Sequence, residues 1–299
     1  MSTTPSNGLR VGWGTADITP RRTSELYGQY YRRVATAVRD PLSVTAVALE
    51  QTSAGAPSSQ AILVSCDQAG LNRELIGVVR ERLGSRVPDF DTARLVISAT
   101  HTHCAPSSYD SLQWWRHDPA LLTTEQFRTM LIDGLVEAAA AAWRSRAPAS
   151  VGVAFAHASV GHCRRPHYLD GSSEMYGATD RSDFAGMEGG HDDTVGVIGA
   201  WNERGDLTGL IVNVACPSQV MEATYVVTAD MFGEARRQLR QRLGASLPIV
   251  CQVGAAGDQA PRDLAQPHRG GPTYWDEPGM IELGGRIAAV VAEALPRAE

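Results

Sequence analysis

The sequence predicts an α/β protein, with mixed or stacked β-sheets covered by helices. Three observations carry this. Short apolar runs of strand length alternate with longer helical patterns, the order expected where helices cover a sheet. Of 299 residues, 43% are hydrophobic and 20% charged, enough for a sizeable core and too apolar for a disordered chain. One layout also occurs twice. AILVSCDQAG (61–70) leads to a helix ending in RERLG (80–84), a strand and a polar HTHC loop. LIVNVACPSQ (210–219) leads to a helix ending in RQRLG (240–244), the strand PIVCQVG (248–254) and a second polar loop. The pattern fits an internal duplication.

The elements follow in order. Residues 1–8 read as a disordered tail, leaving 9–299 as a single catalytic domain. Residues 9–18 read as a strand, stopped by Thr19 and Pro20. Alternation predicts a second strand over 42–50, and the Ser/Ala/Gly/Pro content of 53–59 a turn. A buried strand covers 61–65. A helix covers 72–83 and stops at Gly84. Residues 95–99 form the next strand. The longest helical pattern spans 124–144, with Thr123 or Thr124 as N-cap and Glu125 in the first turn. A strand covers 151–156. Residues 161–193 form a long connection rich in Gly, Asp, Arg and His, and connections of that length are usually functional. Residues 195–201 and 207–214 read as a hairpin. Helix, strand and helix follow at 229–243, 248–253 and 281–295.

Composition excludes some functions. A net charge of −6 argues against nucleic acid as the main partner. No apolar run reaches about 18 residues, so no membrane span is expected. The N-terminus lacks a basic segment followed by an apolar one, so no signal peptide is read. Five cysteines, an odd number without scaffold-like spacing, suggest a reducing compartment and a cytoplasmic location. The expected partner is a small-molecule substrate, and a homo-oligomer is compatible with the sequence.

The most informative stretch is RLVISATHTHCAP (94–106). An apolar strand ends and emits His101 and His103. On an extended backbone, residues i and i+2 point to one side, so both imidazoles would project together as metal ligands or as a base pair. Asp67, leaving the strand at 61–65, reads either as a helix N-terminal anion or as a ligand or base. Asp258 sits among small residues that allow close approach to a ligand, and reads as a base or proton shuttle. Asp230 reads as a helix cap or a site residue. In the long connection, Arg164 and Arg165 fit an anionic substrate group, with Tyr176 nearby. His191, followed by two aspartates, offers a third imidazole. Gln219 ends the strand at 210–216 as a further substrate contact. Cys104 beside His103, or Cys216, could act as a thiolate nucleophile. Cys66 and Cys251 read as buried strand residues.

GWGTADITP (12–20), DPL (40–42), ATHTH (99–103) and GAAGDQAP (254–261), in that order, resemble the neutral/alkaline non-lysosomal ceramidase family. The resemblance runs over about residues 10–296 and corresponds to that family's N-terminal catalytic domain. It implies a zinc-dependent amidase in which metal-bound water attacks an N-acyl bond. His101 would match the first zinc histidine and His103 the second histidine of the motif. The chain departs from the family at three places. The strand at 210–216 runs into Cys216 and Pro217 with no second zinc histidine. The family's glutamate and tyrosine ligands lie further along than this chain extends. Cys104 replaces the serine after the histidine pair. The expectation is a shortened, divergent, cytoplasmic member that hydrolyses a C–N bond of a small polar metabolite. His101, His103 and His191 would hold zinc. Asp258, Asp67 and Cys104 would be catalytic, and Arg164, Arg165, Gln219 and Tyr176 would bind substrate. The alternatives are a cysteine-nucleophile hydrolase, transferase or cyclase, and a ligand-binding relative lacking the full zinc site.

Overall fold

The computed structural model describes residues 8–53, 56–109, 118–265 and 274–298. Eight strands form one mixed sheet: β1 (Gly8–Asp17), β2 (Ser43–Ser53), β3 (Ala56–Cys66), β4 (Leu95–Ala99), β5 (Ala147–His157), β6 (Thr194–Asn202), β7 (Leu207–Val214) and β8 (Ile249–Val253). Their spatial order is β4-β3-β2-β1-β5-β6-β7-β8. Within 1–4, the pairs β1–β2 and β2–β3 are antiparallel and β3–β4 parallel. Within 5–8, the same sequence of pairings recurs. Each parallel pair is joined by a helix, α1 (Arg73–Arg86) or α3 (Asp230–Leu243). Each half is followed by another, α2 (Thr124–Arg144) or α4 (Asp276–Ala294). The repeated layout in the sequence therefore corresponds to a repeated topology.

The two halves meet at β1 and β5 through only two residue pairs, Arg10–Pro148 and Val11–Ala147. Beyond that junction the sheet folds over. Edge strand β8 lies against β2, β3 and β4 of the other half, and the Ser65 hydroxyl donates to the Cys251 carbonyl across the gap. Val11, Val47, Ala200, Ile211 and Val250 fill the space between the halves. The outer faces are covered by α1 and α2 on one side and by α3 and α4 on the other, each over its own apolar core. The result is four layers, helix–sheet–sheet–helix.

Local signals explain the covering helices. Asn72 caps α1 by accepting the Leu75 N–H at 2.8 Å. Leu75, Val79 and Leu83 then fall on one buried stripe. The helix runs through Gly84 to Arg86 and is capped at Val87, with Gly84 beside the Thr92 methyl rather than at the helix end. A capping box joins Thr123 and Gln126 at the start of α2. That helix lies so close to β1 that a Cβ at Gly14 would stand 2.1 Å from the Ala138 carbonyl oxygen, which explains the glycine. The expected tail at 1–8 lies outside the described residues except Gly8, the first residue of β1. The 161–193 connection carries order of its own, since a strand Pro166–Tyr168 pairs with Phe184–Met187. No described helix is long and apolar enough to cross a membrane.

Candidate active site

A cavity of about 580 Å³ opens where the loops of both halves converge. The segments after β3 and β4 bring Ala69, His101 and His103. The segments after β7 and β8 bring Gln219, Glu222 and Arg262. The connection from β1 to β2 adds Tyr27, and the topologically equivalent connection from β5 to β6 adds Arg164 and Tyr176. The duplicated fold thus builds one site from three corresponding loop pairs. Polar groups gathered beyond strand ends are the usual site geometry of α/β sheets.

The two histidines meet, though not along an extended strand. β4 ends at Ala99, and His101 takes a left-handed conformation with φ +65, a region where non-glycine residues concentrate at functional sites. Its Nδ1 lies 2.5 Å from the Ala69 carbonyl. A carbonyl only accepts, so Nδ1 carries the proton and the neutral ring keeps its lone pair on Nε2. His103 is 8% exposed, with Nδ1 3.2 Å from Glu222 Oε2 and Nε2 2.9 Å from the Gln219 amide nitrogen. Glu222 takes the Nδ1 proton, so Nε2 is again the accepting atom. The two Nε2 atoms stand 3.4 Å apart. The one lone pair of His103 Nε2 accepts the Gln219 N–H, which leaves the lone pair of His101 Nε2 as the open acceptor. Burial, then the neighbouring His103, pushes the His101 pKa below its ordinary value, so this ring is held neutral.

Two features missed in the sequence hold His103 in place. Arg33 is buried and donates to the carbonyls of His103 (2.5 Å), Tyr27 (3.0 Å) and Thr224 (2.8 Å). Gly28, at φ +111, lets the backbone pass the imidazole; a Cβ there would stand 2.3 Å from His103 Cγ. Around the pair the wall is aromatic and polar. Tyr109 packs edge-on against Tyr27, with their hydroxyls 3.3 Å apart. The Arg164 guanidinium lies near the Tyr176 ring and donates to the Gly257 carbonyl at 2.9 Å. Burial pushes the Tyr176 phenol above its ordinary pKa. Arg262 lies over Trp275. The Nε of Arg164 and the Oε1 of Gln219 are buried without a partner: one donor and one acceptor left open.

Several expected site residues lie elsewhere. Asp67 is fully buried off the cavity, paired with Arg236 at 2.6 Å and accepting from the Ser43 N–H, the Ser43 hydroxyl and Thr100. In this structure its charge balances Arg236. Asp258 is exposed and off the cavity wall. Its carbonyl accepts the Arg164 N–H at 2.9 Å and its carboxylate accepts from Gln259, so it ties the loop that presents Arg164. Arg165 pairs with Glu188 outside the cavity. Cys104 is 0% exposed, with its thiol against the Met221 carbonyl and its pKa pushed up to about 12 by burial. Cys216 is equally buried, with its pKa also raised by burial. Neither thiol is available as a nucleophile. Asp230 lies outside the cavity, accepting the Met221 and Met231 N–H groups.

The zinc expectation needs three protein ligands. His191 does not join the pair; it lies against His162, ring centroids 5.6 Å apart. Cys216, at the strand end where the resemblance expects a histidine, turns its sulfur to the Val160 and Pro217 carbonyls. Among the described residues, no group of three or more His, Cys, Asp or Glu is arranged to hold a metal ion. His101 and His103 supply two imidazoles only, so these residues do not fit a complete zinc site.

No family model and no curated protein matches the sequence. Solved structures do match the fold. One is a ceramidase complexed with C2, at TM-score 0.75 and 19% identity over 98% of this chain. Another is neutral ceramidase from Pseudomonas aeruginosa, at TM-score 0.76 and 20% identity over 98% of this chain. The chain has a ceramidase fold. It spans 44% and 45% of those two chains, less than half their length.

Proposed function

We propose that this protein hydrolyses a C–N (amide) bond in a small polar metabolite, with His101 as the proton acceptor and His103 beside it. The observation that carries the reading is the pair of facing Nε2 atoms on the wall of a polar cavity, each imidazole fixed through Nδ1. The ceramidase fold supports amide chemistry by analogy only. In the proposed reaction, His101 Nε2 takes a proton from the water that attacks the acyl carbon. His101 then returns that proton to the leaving nitrogen. Glu222 holds His103 in the tautomer this requires. The open Nε–H of Arg164 faces the developing negative oxygen, and Gln219 Oε1 accepts the substrate N–H. General acid–base assistance of this kind contributes about 10²–10⁴-fold. The free, buried cysteines fit a cytoplasmic setting.

A panel of N-acylated small amines and amino acids tests the reading. Turnover by the wild type, with a large loss in His101→Gln, is expected. A second reading is favoured by the missing third metal ligand: a ligand-binding relative without turnover. Saturable binding of the same compounds with no hydrolysis would select it.

A further inference from the structure

A second cavity, of about 400 Å³, opens between α3 and the segment 39–43 that enters β2. It shares no lining residue with the histidine cavity. Arg39, Arg236, Arg237 and Arg240 line it, against one carboxylate, Asp40. In a chain of net charge −6, that concentration of positive charge calls for a reason.

Three of the four have carboxylate partners. Arg39 reaches Asp40 at 3.1 Å and Glu277 at 3.2 Å. Arg237 reaches Glu234, a fully buried carboxylate, at 2.5 Å. Arg236 is held by Asp67. Glu234 and Asp67 are not among the residues that line the cavity. Arg240 is different. Its Nε donates to the Leu247 carbonyl at 3.0 Å, and among the described residues it meets no carboxylate. Burial, then the neighbouring charge of Arg236, lowers its pKa from the ordinary value. An arginine does not escape by losing its proton. Its two terminal nitrogens make no hydrogen bond among the described residues, and the attraction of the buried Asp67 charge only partly offsets that penalty, so Arg240 has room for a further anion.

Arg236 and Arg240 are four residues apart on α3, so they stack along one face. Arg237 flanks them, and Arg39 stands on the facing segment. Arg240 offers its open terminal nitrogens with the charges of Arg39, Arg236 and Arg237 around it, and a phosphoryl group supplies several oxygens and a dense negative charge. The volume falls in the ~300–1,000 Å³ range of small-molecule sites, leaving room for an organic part. We propose that this cavity binds the phosphate group of a small phosphomonoester, with Arg240 as its principal ligand. The site lies directly behind the histidine loop. Asp67, which anchors Arg236, also accepts from Thr100 at 3.3 Å. Asp40 accepts from Thr228, whose carbonyl takes the Thr102 hydroxyl at 2.9 Å.

Calorimetric titration with ribose 5-phosphate and with inorganic phosphate tests this on the wild type and on Arg240→Gln and Arg240→Lys, each checked for a native melting transition. The site predicts saturable 1:1 binding of the phosphomonoester with a Kd of about 1 mM or tighter. Arg240→Gln should weaken it at least about tenfold, with Arg240→Lys in between because charge remains while the fork is lost. Equal affinity for inorganic phosphate would overturn the organic part of the proposal. No saturable binding of either probe, or unchanged affinity in folded Arg240→Gln, would overturn the site.

Discussion

Asp67→Asn separates a structural anion from a catalytic one. Asp67 is 0% exposed and its partner Arg236 5%. Burial alone would lower the Arg236 pKa, but the Asp67 charge outweighs it and the guanidinium stays charged. The amide side chain keeps the shape and removes the negative charge. It also presents N–H where Oδ2 now accepts from the Ser43 N–H at 2.8 Å, the Ser43 hydroxyl at 2.9 Å and Arg236 at 2.6 Å. Breaking one side of a buried ion pair costs about 3–5 kcal/mol, because the remaining charge is left unpaired. At roughly 2–4 °C per kcal/mol for a domain of this size class, Tm should fall by about 6–20 °C. Differential scanning calorimetry reads the shift, and kcat measured well below the new Tm should stay near the wild-type value. A variant with an unchanged Tm and a collapsed kcat would refute this assignment and return Asp67 to the reaction.

Other perturbations give equally definite outcomes. Because the His101 pKa lies below its ordinary value, the acid limb of kcat/KM should have its midpoint below pH 6.5, the reference for free histidine. The same shift means that His101 contributes stability fully above pH 6.5 and loses it as pH falls through the lowered folded pKa, since the unfolded ring protonates first. Titration of the ring by NMR reads the value directly, and a midpoint above 6.5 would contradict the geometry. Gly28→Ala should cost about 1 kcal/mol or more from the strained φ and displace His103, lowering kcat by about 10²-fold; a crystal structure with His103 unmoved and full activity would count against it. Cys104 should resist iodoacetamide in the native protein, since its thiol is buried with a pKa of about 12; rapid labelling that abolishes activity would revive the thiol mechanism.

The parts of the fold that are local in origin were legible in the sequence. The apolar run before His101 is β4, and the Thr123 cap opens α2. The two R-x-R-L-G helix ends belong to corresponding helices of a repeated topology. The folding-over of the sheet was not legible, because it depends on a junction of two residue pairs and on packing between strands far apart in the chain. The site divides in the same way. The histidine pair showed through its spacing, but the reason it converges is the left-handed turn at His101, not strand periodicity. Glu222 and Arg33 carried no motif. Glu222 acts on a histidine 119 positions away, and Arg33 reaches the same loop from a segment without periodicity. Asp67 and Asp258 looked functional because both follow strands, yet the first has a distant buried arginine and the second serves its own loop. A carboxylate at a strand end does not reveal from sequence whether it faces a cavity or an ion-pair partner.

The central claim is that amide hydrolysis runs on the His101–His103 pair. The direct test is the hydrolysis rate of the best substrate found among N-acylated small amines and amino acids, for the wild type, His101→Gln and His103→Gln. Each variant is matched for melting temperature and dialysed against a chelator. The account predicts measurable wild-type turnover and a loss of about 10²–10⁴-fold in either variant, the range of general acid–base assistance. Wild-type-like rates in both variants, or a wild type that binds these compounds without cleaving any of them, would contradict it.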